Sequence, residues 1–304
     1  MSKTDKKICI WSLSDGKPGH TNQTEGLIQA LSQYREIELV EIPILSSYKS
    51  LLMITLKRCV GIDQKSPDLI IGTGHRTHLS LLAYKRCFGG RVVTMMSPSL
   101  PNYLFDLCLI PRHDKPKVAA NIIETIGAIN RILPSTHQSL DNGLILLGGP
   151  SKHYRWDAEY VLKQIDELTV NHNDIKWTVA NSRRTPEDFN NKIYEQFPAI
   201  TFVLAKEVST QWLPKKMQES GSIWVTEDSV SMVYEALTAG AKTGIIRLPV
   251  EKQTGVTKEI DRLVSGGYLS IVPSYTDENM PQKELGVLYE ADRCSKLLLD
   301  KFDL

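Results

Sequence analysis

Short apolar runs alternate with amphipathic stretches along the chain, the pattern of a βα series that builds a parallel sheet. Residues 7–13 read as a first strand, a Gly/Pro loop follows, and a helix is predicted over 20–33 with Leu27, Ile28 and Leu31 on one face. Further strands are predicted at 37–42, 68–72, 91–95 and 106–110, with a helix over 76–87. The series restarts near Gly143. Strands at 144–147, 175–180, 200–204, 222–225 and 243–248 then alternate with helices at 156–170, 186–196, 209–219 and 228–239. The polar stretch 130–142, rich in Pro, Ser, Asn and Gln, separates the two series and reads as a linker. This pattern implies two open α/β domains, over residues 1–138 and 139–285. An amphipathic helix within 286–304 is expected to cross back and brace the first domain.

A length of 304 residues suits two domains, and 41% hydrophobic with 23% charged residues is ordinary for a globular protein. The net charge of +1 conceals an asymmetry: 17 Lys and Arg stand against 11 Asp and Glu through residue 140, and the remainder is acidic. A basic N-terminal half could face anionic lipid, an acidic saccharide or nucleic acid, or the distribution is chance. Scattered aromatics and the lack of a dense basic stripe argue against nucleic acid. Cys9, Cys59, Cys87, Cys108 and Cys294 show no CxxC spacing and read as small buried hydrophobes in a reducing compartment, not as disulfides or zinc ligands. No leader pattern and no membrane-spanning run is present, so a cytoplasmic protein is expected. Residues 48–60, where Leu51, Leu52, Met53, Ile54 and Leu56 mix with Lys49, Lys57 and Arg58, read either as a surface helix dipping into a membrane or as ordinary core.

In open α/β sheets ligands sit beyond the carboxyl ends of the strands. Four such loops are chemically unusual. In Asp15-Gly16-Lys17-Pro18-Gly19-His20-Thr21-Asn22, the glycines permit close backbone approach and His20, at a helix start, could act as a general base. The alternative is a polar turn whose histidine caps the helix. Gly72-Thr73-Gly74-His75-Arg76 could cradle an anion or be a structural turn. In Ser182-Arg183-Arg184-Thr185-Pro186, Thr185 fits an N-cap with Pro186 at N1, and the arginines would meet a phosphate or simply be solvated. Thr226-Glu227-Asp228-Ser229-Val230-Ser231-Met232 crowds hydroxyls and carboxylates at a helix start, with Glu235 about two turns in and Gly240 as a natural stop. That crowding suits a diphosphate, although redundant capping would look the same. Gly148-Gly149-Pro150-Ser151 is a further diphosphate contact by position, and Pro98-Ser99 could line a cleft. No dinucleotide fingerprint, Walker A loop, nucleophile elbow or metal-ligand spacing occurs.

Together these motifs resemble the mitochondrial-fission Elm family. The resemblance rests on Asp15-Gly-Lys-Pro-Gly-His20, Ile71-Gly-Thr-Gly74, Leu100-Pro101 with Phe105-Asp106, Pro111-Arg-His-Asp114, Gly148-Gly-Pro-Ser151, Ser182-Arg-Arg-Thr-Pro186 and Thr226-Glu-Asp-Ser-Val-Ser-Met232. It spans about residues 8–270. It implies a GT-B fold, two Rossmann-like domains with parallel sheets facing across a cleft. A nucleotide-sugar donor would sit in the second domain and an acceptor against the first.

The Ser231, Glu235 and Gly240 pattern is also similar to the donor helix of GT-B enzymes related to the MurG transferase, which implies a ribose-holding role for Glu235. The same comparison makes His20, or Asp15, the base candidate. The implied activity is a metal-independent, inverting transfer of a sugar from a nucleoside-diphosphate-sugar co-substrate, with no other cofactor, to a glycolipid or saccharide acceptor of the cell envelope. On this reading Gly149, Ser151, Ser182, Arg183, Arg184, Thr226, Asp228, Ser229, Ser231, Met232 and Glu235 bind the donor. Gly16, Lys17, Gly19, Asn22, Gly74, His75, Arg76 and Pro98 lie on the acceptor side. The rival readings are a GT-B-shaped, non-catalytic scaffold recruited to membranes and a sugar epimerase on the same fold.

Overall fold

The structure, a computed structural model, describes residues 7–57, 59, 61–272 and 287–304. The chain forms two compact units, Met1–Arg131 with Glu290–Leu304, and Ile132–Tyr289. In the first unit β1 (Ile8–Leu13), α1 (Pro18–Leu31), β2 (Ile37–Glu41), α2 (Ser47–Leu56), β3 (Leu69–Thr73), α3 (His78–Phe88), β4 (Arg91–Met95), β5 (Leu107–Pro111) and β6 (Ile122–Thr125) follow one another. The strands pair in parallel in the order β2-β1-β3-β4-β5-β6. β3 and β5 are fully buried, which is why they read as unbroken apolar runs and not as alternating ones. Pro18 fixes φ in the first turn of α1, where its missing N–H costs nothing. Trp11, Tyr84 and Phe88 pack as an aromatic group on one face of this sheet, with the Trp11 indole donating to the Lys65 carbonyl at 3.1 Å.

The second unit runs β7 (Ser139–Leu146), α4 (Ala158–Asn171), β8 (Lys176–Ala180), α5 (Glu187–Gln196), β9 (Thr201–Val203), α6 (Trp212–Glu219), β10 (Ser220–Thr226), α7 (Val230–Ala239), β11 (Lys242–Ile246), α8 (Gly255–Ser265) and β12 (Ser270–Ile271). Its parallel sheet has the order β12-β11-β10-β7-β8-β9. Read from β9, this is the 3-2-1-4-5-6 order of the dinucleotide-binding folds. Trp177 and Trp224 fill the space left by Gly143 and Gly244, where a Cβ would overlap the indole rings. Gly240 ends α7 at φ +84°, a left-handed conformation that favours glycine.

The C-terminal α9 (Glu290–Phe302) belongs to the first unit and packs on α1 and β6. Glu290 accepts from the Ile126 amide at 3.0 Å, Arg293 donates to the Glu124 carbonyl at 2.7 Å, and Asp292 accepts from the Tyr34 hydroxyl. The predicted start of this helix at Gly286 lies outside the described residues.

Two expectations are corrected. The stretch 130–142 is not linker throughout, because β7 begins at Ser139. Backbone pairing of Ser139 with Ser220 extends the strand through polar positions that carry no apolar signal. Cys59 and Cys87 form a disulfide, with Cα atoms 5.6 Å apart. The packing of α2 on α3 brings the ends of the two helices together, a tertiary event that a 28-residue separation does not announce. Cys9, Cys108 and Cys294 are free and buried, as small hydrophobes are. The cysteine argument for a reducing compartment therefore does not stand.

Candidate functional site

Where the strand order of an open parallel sheet reverses, the loops leaving the strand ends diverge and open a crevice. In the second unit that reversal lies between β7 and β10, so its loops are Gly148–Ser151 and Thr226–Ser229. In the first unit it lies between β1 and β3, so its loops are Ser14–Lys17 and Gly74–Thr77.

In the second unit the loops after β7, β8 and β10 form one bonded cluster. The Thr226 hydroxyl, fully buried, accepts from the Gly148 amide at 2.7 Å. Asp228 accepts from the Gly149 amide at 3.0 Å, from Arg184 Nη2 at 2.7 Å and from the Ser229 hydroxyl at 3.2 Å. Arg184 Nη2 also donates to Ser229 Oγ at 2.7 Å, and Ser182 donates to the Gly148 carbonyl at 2.9 Å. Glycine is needed at 148 and 149, because a Cβ would overlap the Asp228 carboxylate and the Arg184 carbonyl respectively. Glu227, 1% exposed, faces the other way and accepts from Arg247 at 2.8 Å and from the Leu248 amide, tying this loop to the end of β11. Burial pushes its carboxyl above the ordinary glutamate value, against the pull of the Leu248 amide and the Arg247 guanidinium.

The cluster leads into α7, with Ser229 buried under Arg184 and Ser231 exposed in the first turn. Ser229 is the N-cap residue but makes no side-chain capping bond. Such a helix start presents unsatisfied N–H groups and the positive end of the helix dipole, an anion site by construction. Arg183 is exposed and, among the described residues, makes no hydrogen bond or ion pair.

In the first unit Asp15 and His20 form a pair, with His20 Nδ1 3.0 Å from each carboxylate oxygen. An ionised carboxylate only accepts, so Nδ1 carries the proton and Nε2 is left as the basic nitrogen. Burial pushes the Asp15 carboxyl up, but the Lys17 amide and the His20 ring outweigh it and hold it below the ordinary aspartate value. Gly74, at φ +94°, closes over this pair, and a Cβ there would overlap the imidazole. Thr24 and Thr73 hydroxyls meet at 2.8 Å beneath it, joining α1 to the end of β3.

The other residues singled out in the sequence fall as follows. Ser151 accepts from the His153 and Tyr154 amides and so holds its own turn. Ser231 is exposed and Met232 half-buried in the first turn of α7, and Glu235 is half-buried one turn further along. Gly16 and Gly19 are open to solvent, Lys17 is the N-cap residue of α1, and His75 and Arg76 are exposed. Asn22 accepts from the Arg131 amide at 3.2 Å, and Pro98 is half-buried after β4. Thr185 is not the cap of α5: its hydroxyl is drawn to the Leu147 and Gly148 carbonyls and accepts from the Ser182 amide, so the cap position passes to Pro186.

Sequence reasoning missed His78, whose Nδ1 lies 3.1 Å from Ser99 Oγ with the ring edge-on to Phe105. Burial drives its pKa down to about 4, and the imidazole is neutral at neutral pH. The only signal for it was a second histidine three residues after His75. Met96, at φ +68° after β4, is a strained non-glycine residue beside the same strand ends. Among the described residues no group of three or more His, Cys, Asp or Glu is placed to hold a metal ion. No helix of the described residues is long and apolar enough to cross a membrane.

The fold is shared with proteins of known structure. UDP-GlcNAc 2-epimerase from Neisseria meningitidis bound to UDP-GlcNAc is similar in fold, with TM-score 0.57 and 12% identity over 97% of this chain and 99% of that one. The Methanocaldococcus jannaschii UDP-GlcNAc 2-epimerase gives 0.51 at 13% identity, over 97% and 100% of the two chains. The S. aureus MnaA–UDP complex gives 0.50 at 16%, over 96% and 88%. At these identities the likeness shows the fold alone, which is GT-B. A curated protein of Rickettsia prowazekii (strain Madrid E), the uncharacterized protein RP120, is 24% identical over 287 residues, covering 76% of this chain and 81% of its own length. The family model described as mitochondrial fission ELM1 matches residues 18–302, and the chain belongs to that family.

Proposed function

We propose that the protein is a glycosyltransferase that takes a nucleoside-diphosphate-sugar donor in its second unit and transfers the sugar to a cell-envelope acceptor of lipopolysaccharide type, with inversion and without a metal. The observation that carries the reading is that the uncapped start of α7 lies at the strand-order reversal of a sheet with nucleotide-binding topology. A diphosphate there would be met by the first-turn amides and by Arg183. Thr226 and Asp228 would shape the loop from beneath, and Glu235, one turn on, would hold the ribose. His20 Nε2 would take the proton of the acceptor hydroxyl as its oxygen attacks the anomeric carbon. The bond from that carbon to the diphosphate breaks, and the leaving charge passes to the helix start. Support for a uridine donor comes from the solved structures of this fold that hold UDP or UDP-GlcNAc. Contact with the inner face of a membrane would use α2, where Tyr48, Leu51 and Leu56 are exposed beside Lys49 and Lys57.

The test is turnover of UDP-GlcNAc and related donors, read as released nucleotide, with nucleotide affinity measured in parallel. His20→Ala should lower turnover about 10²- to 10⁴-fold and leave UDP affinity unchanged. Equal turnover in the variant removes His20 from the mechanism. Conversion of the donor to its epimer without nucleotide release would replace the transferase reading by an epimerase one. Vesicle binding without nucleotide affinity would replace it by a membrane scaffold.

A further inference from the structure

A cavity of about 690 Å³ lies entirely within the first unit, between α1 and the carboxyl halves of β1 and β2. Its volume is in the range of small-ligand sites. Its α1 wall is the stripe Thr21, Thr24, Glu25, Ile28, Gln29 and Ser32, residues spaced three and four apart on one flank of the helix. The side of α1 packed in the core is the buried set Leu27, Ala30 and Leu31, and the cavity wall is the more exposed flank beside it. Here five of the six side chains carry a hydroxyl, amide or carboxylate, and Ile28 alone is aliphatic. The opposite wall is β2, the edge strand, which contributes Leu39 and Glu41, with Ile42 just beyond it. No Lys, Arg or His lines the cavity.

One end of this cavity abuts the Asp15–His20 pair through the chain itself. Ser14 and Thr21, neighbours of Asp15 and His20, both line it, and their hydroxyls meet at 3.0 Å.

We infer that this cavity is a saccharide site that takes an uncharged or amino-bearing sugar and rejects phosphorylated ones. The hydroxyl, amide and carboxylate groups of the walls would bond sugar hydroxyls, while Ile28 and Leu39 would lie against the C–H faces of a ring. Glu41 attracts an ammonium and repels phosphate or sulfate with no basic side chain of the lining beside it, while Glu25 is already paired with Arg131 at 3.4 Å and adds less. Naming the ligand the acceptor rests on the transferase reading above; the site itself does not.

The test is a glycan array of neutral, amino-substituted, phosphorylated and sulfated oligosaccharides, probed with the full chain and followed by calorimetry of the bound members, with UDP titrated in parallel. Neutral or amino-bearing members should bind. Ile28→Trp, which fills the cavity, and Glu41→Lys, an exposed substitution that puts no strain on the core, should each weaken them by about tenfold or more with UDP affinity unchanged. Binding confined to phosphorylated or sulfated members, binding that survives both substitutions, or no glycan bound by protein that binds UDP would overturn the inference. Glycan binding without UDP affinity would leave the saccharide site standing and remove the transferase reading.

Discussion

Arg184 places Nη2 2.7 Å from both Asp228 and Ser229, whereas Arg183 beside it is exposed and makes no ion pair among the described residues. The two should therefore respond differently to truncation. Arg184→Ala strips a cation from a carboxylate whose side chain is fully buried, and unfolding free energy should fall by about 2 kcal/mol in a denaturant titration. Arg183→Ala should leave stability within about 0.5 kcal/mol and weaken UDP binding about tenfold. Equal stability losses in both would contradict the assignment. His78 gives a pH prediction. Its folded pKa of about 4 lies below the ordinary 6.5, so between these values the unfolded chain binds more protons. The associated stability is present above pH 6.5 and is lost as pH falls toward 4, by about 3 kcal/mol at full effect. His78→Gln should flatten that part of the stability–pH curve, and an unchanged slope would show that another group carries it. At Gly74 both a left-handed φ and the His20 ring oppose a side chain, so Gly74→Ala should cost about 1–3 kcal/mol and lower turnover as well.

At the scale of elements, the Cys59–Cys87 bond closes a loop of 28 residues between the ends of α2 and α3. Loop-closure entropy assigns it about 3–4 kcal/mol, so Cys87→Ser or reduction should lower the denaturation midpoint, and an unchanged midpoint would mean that the helices hold their places without it. Much of the secondary structure was legible because its signals are local. β3, β5 and the core of β10 are apolar runs, and Gly240 marks the end of α7 by its backbone freedom. Elements with weak local signals were not found. β6, of four residues, is one of these, whereas α8 was passed over although Val256, Ile260, Leu263 and Val264 recur at helical spacing behind the Thr254–Thr257 capping bonds. Strand order was not legible at all, because it depends on which edges pair, and strand order is what selects two loop pairs as crevices. The crowding at Thr226–Ser229 was visible as composition. That Thr226, Glu227 and the Asp228 side chain turn inward, and that α7 first reaches solvent at Ser231, follows from burial that no spacing rule encodes.

For the whole molecule, family and fold stand on a match over residues 18–302 and on two parallel sheets with GT-B relatives, while the chemistry rests on the strand-end loops of each unit. The excess of basic residues before position 140 and the exposed apolar side chains of α2 belong to the same unit. Binding to anionic vesicles should accordingly fall with salt, and Leu51→Asp should abolish it; salt-independent binding, or binding that survives the substitution, would remove α2 from the account. On the proposed function, the second unit holds a nucleoside diphosphate at the start of α7. Calorimetric titration of the wild-type chain with UDP, GDP, ADP and CMP, and with uridine for comparison, tests it most directly. At least one diphosphate should bind about tenfold or more tighter than its nucleoside and lose that margin in Arg183→Ala. Heat from none of the nucleotides, or a diphosphate that binds no better than its nucleoside, would contradict it.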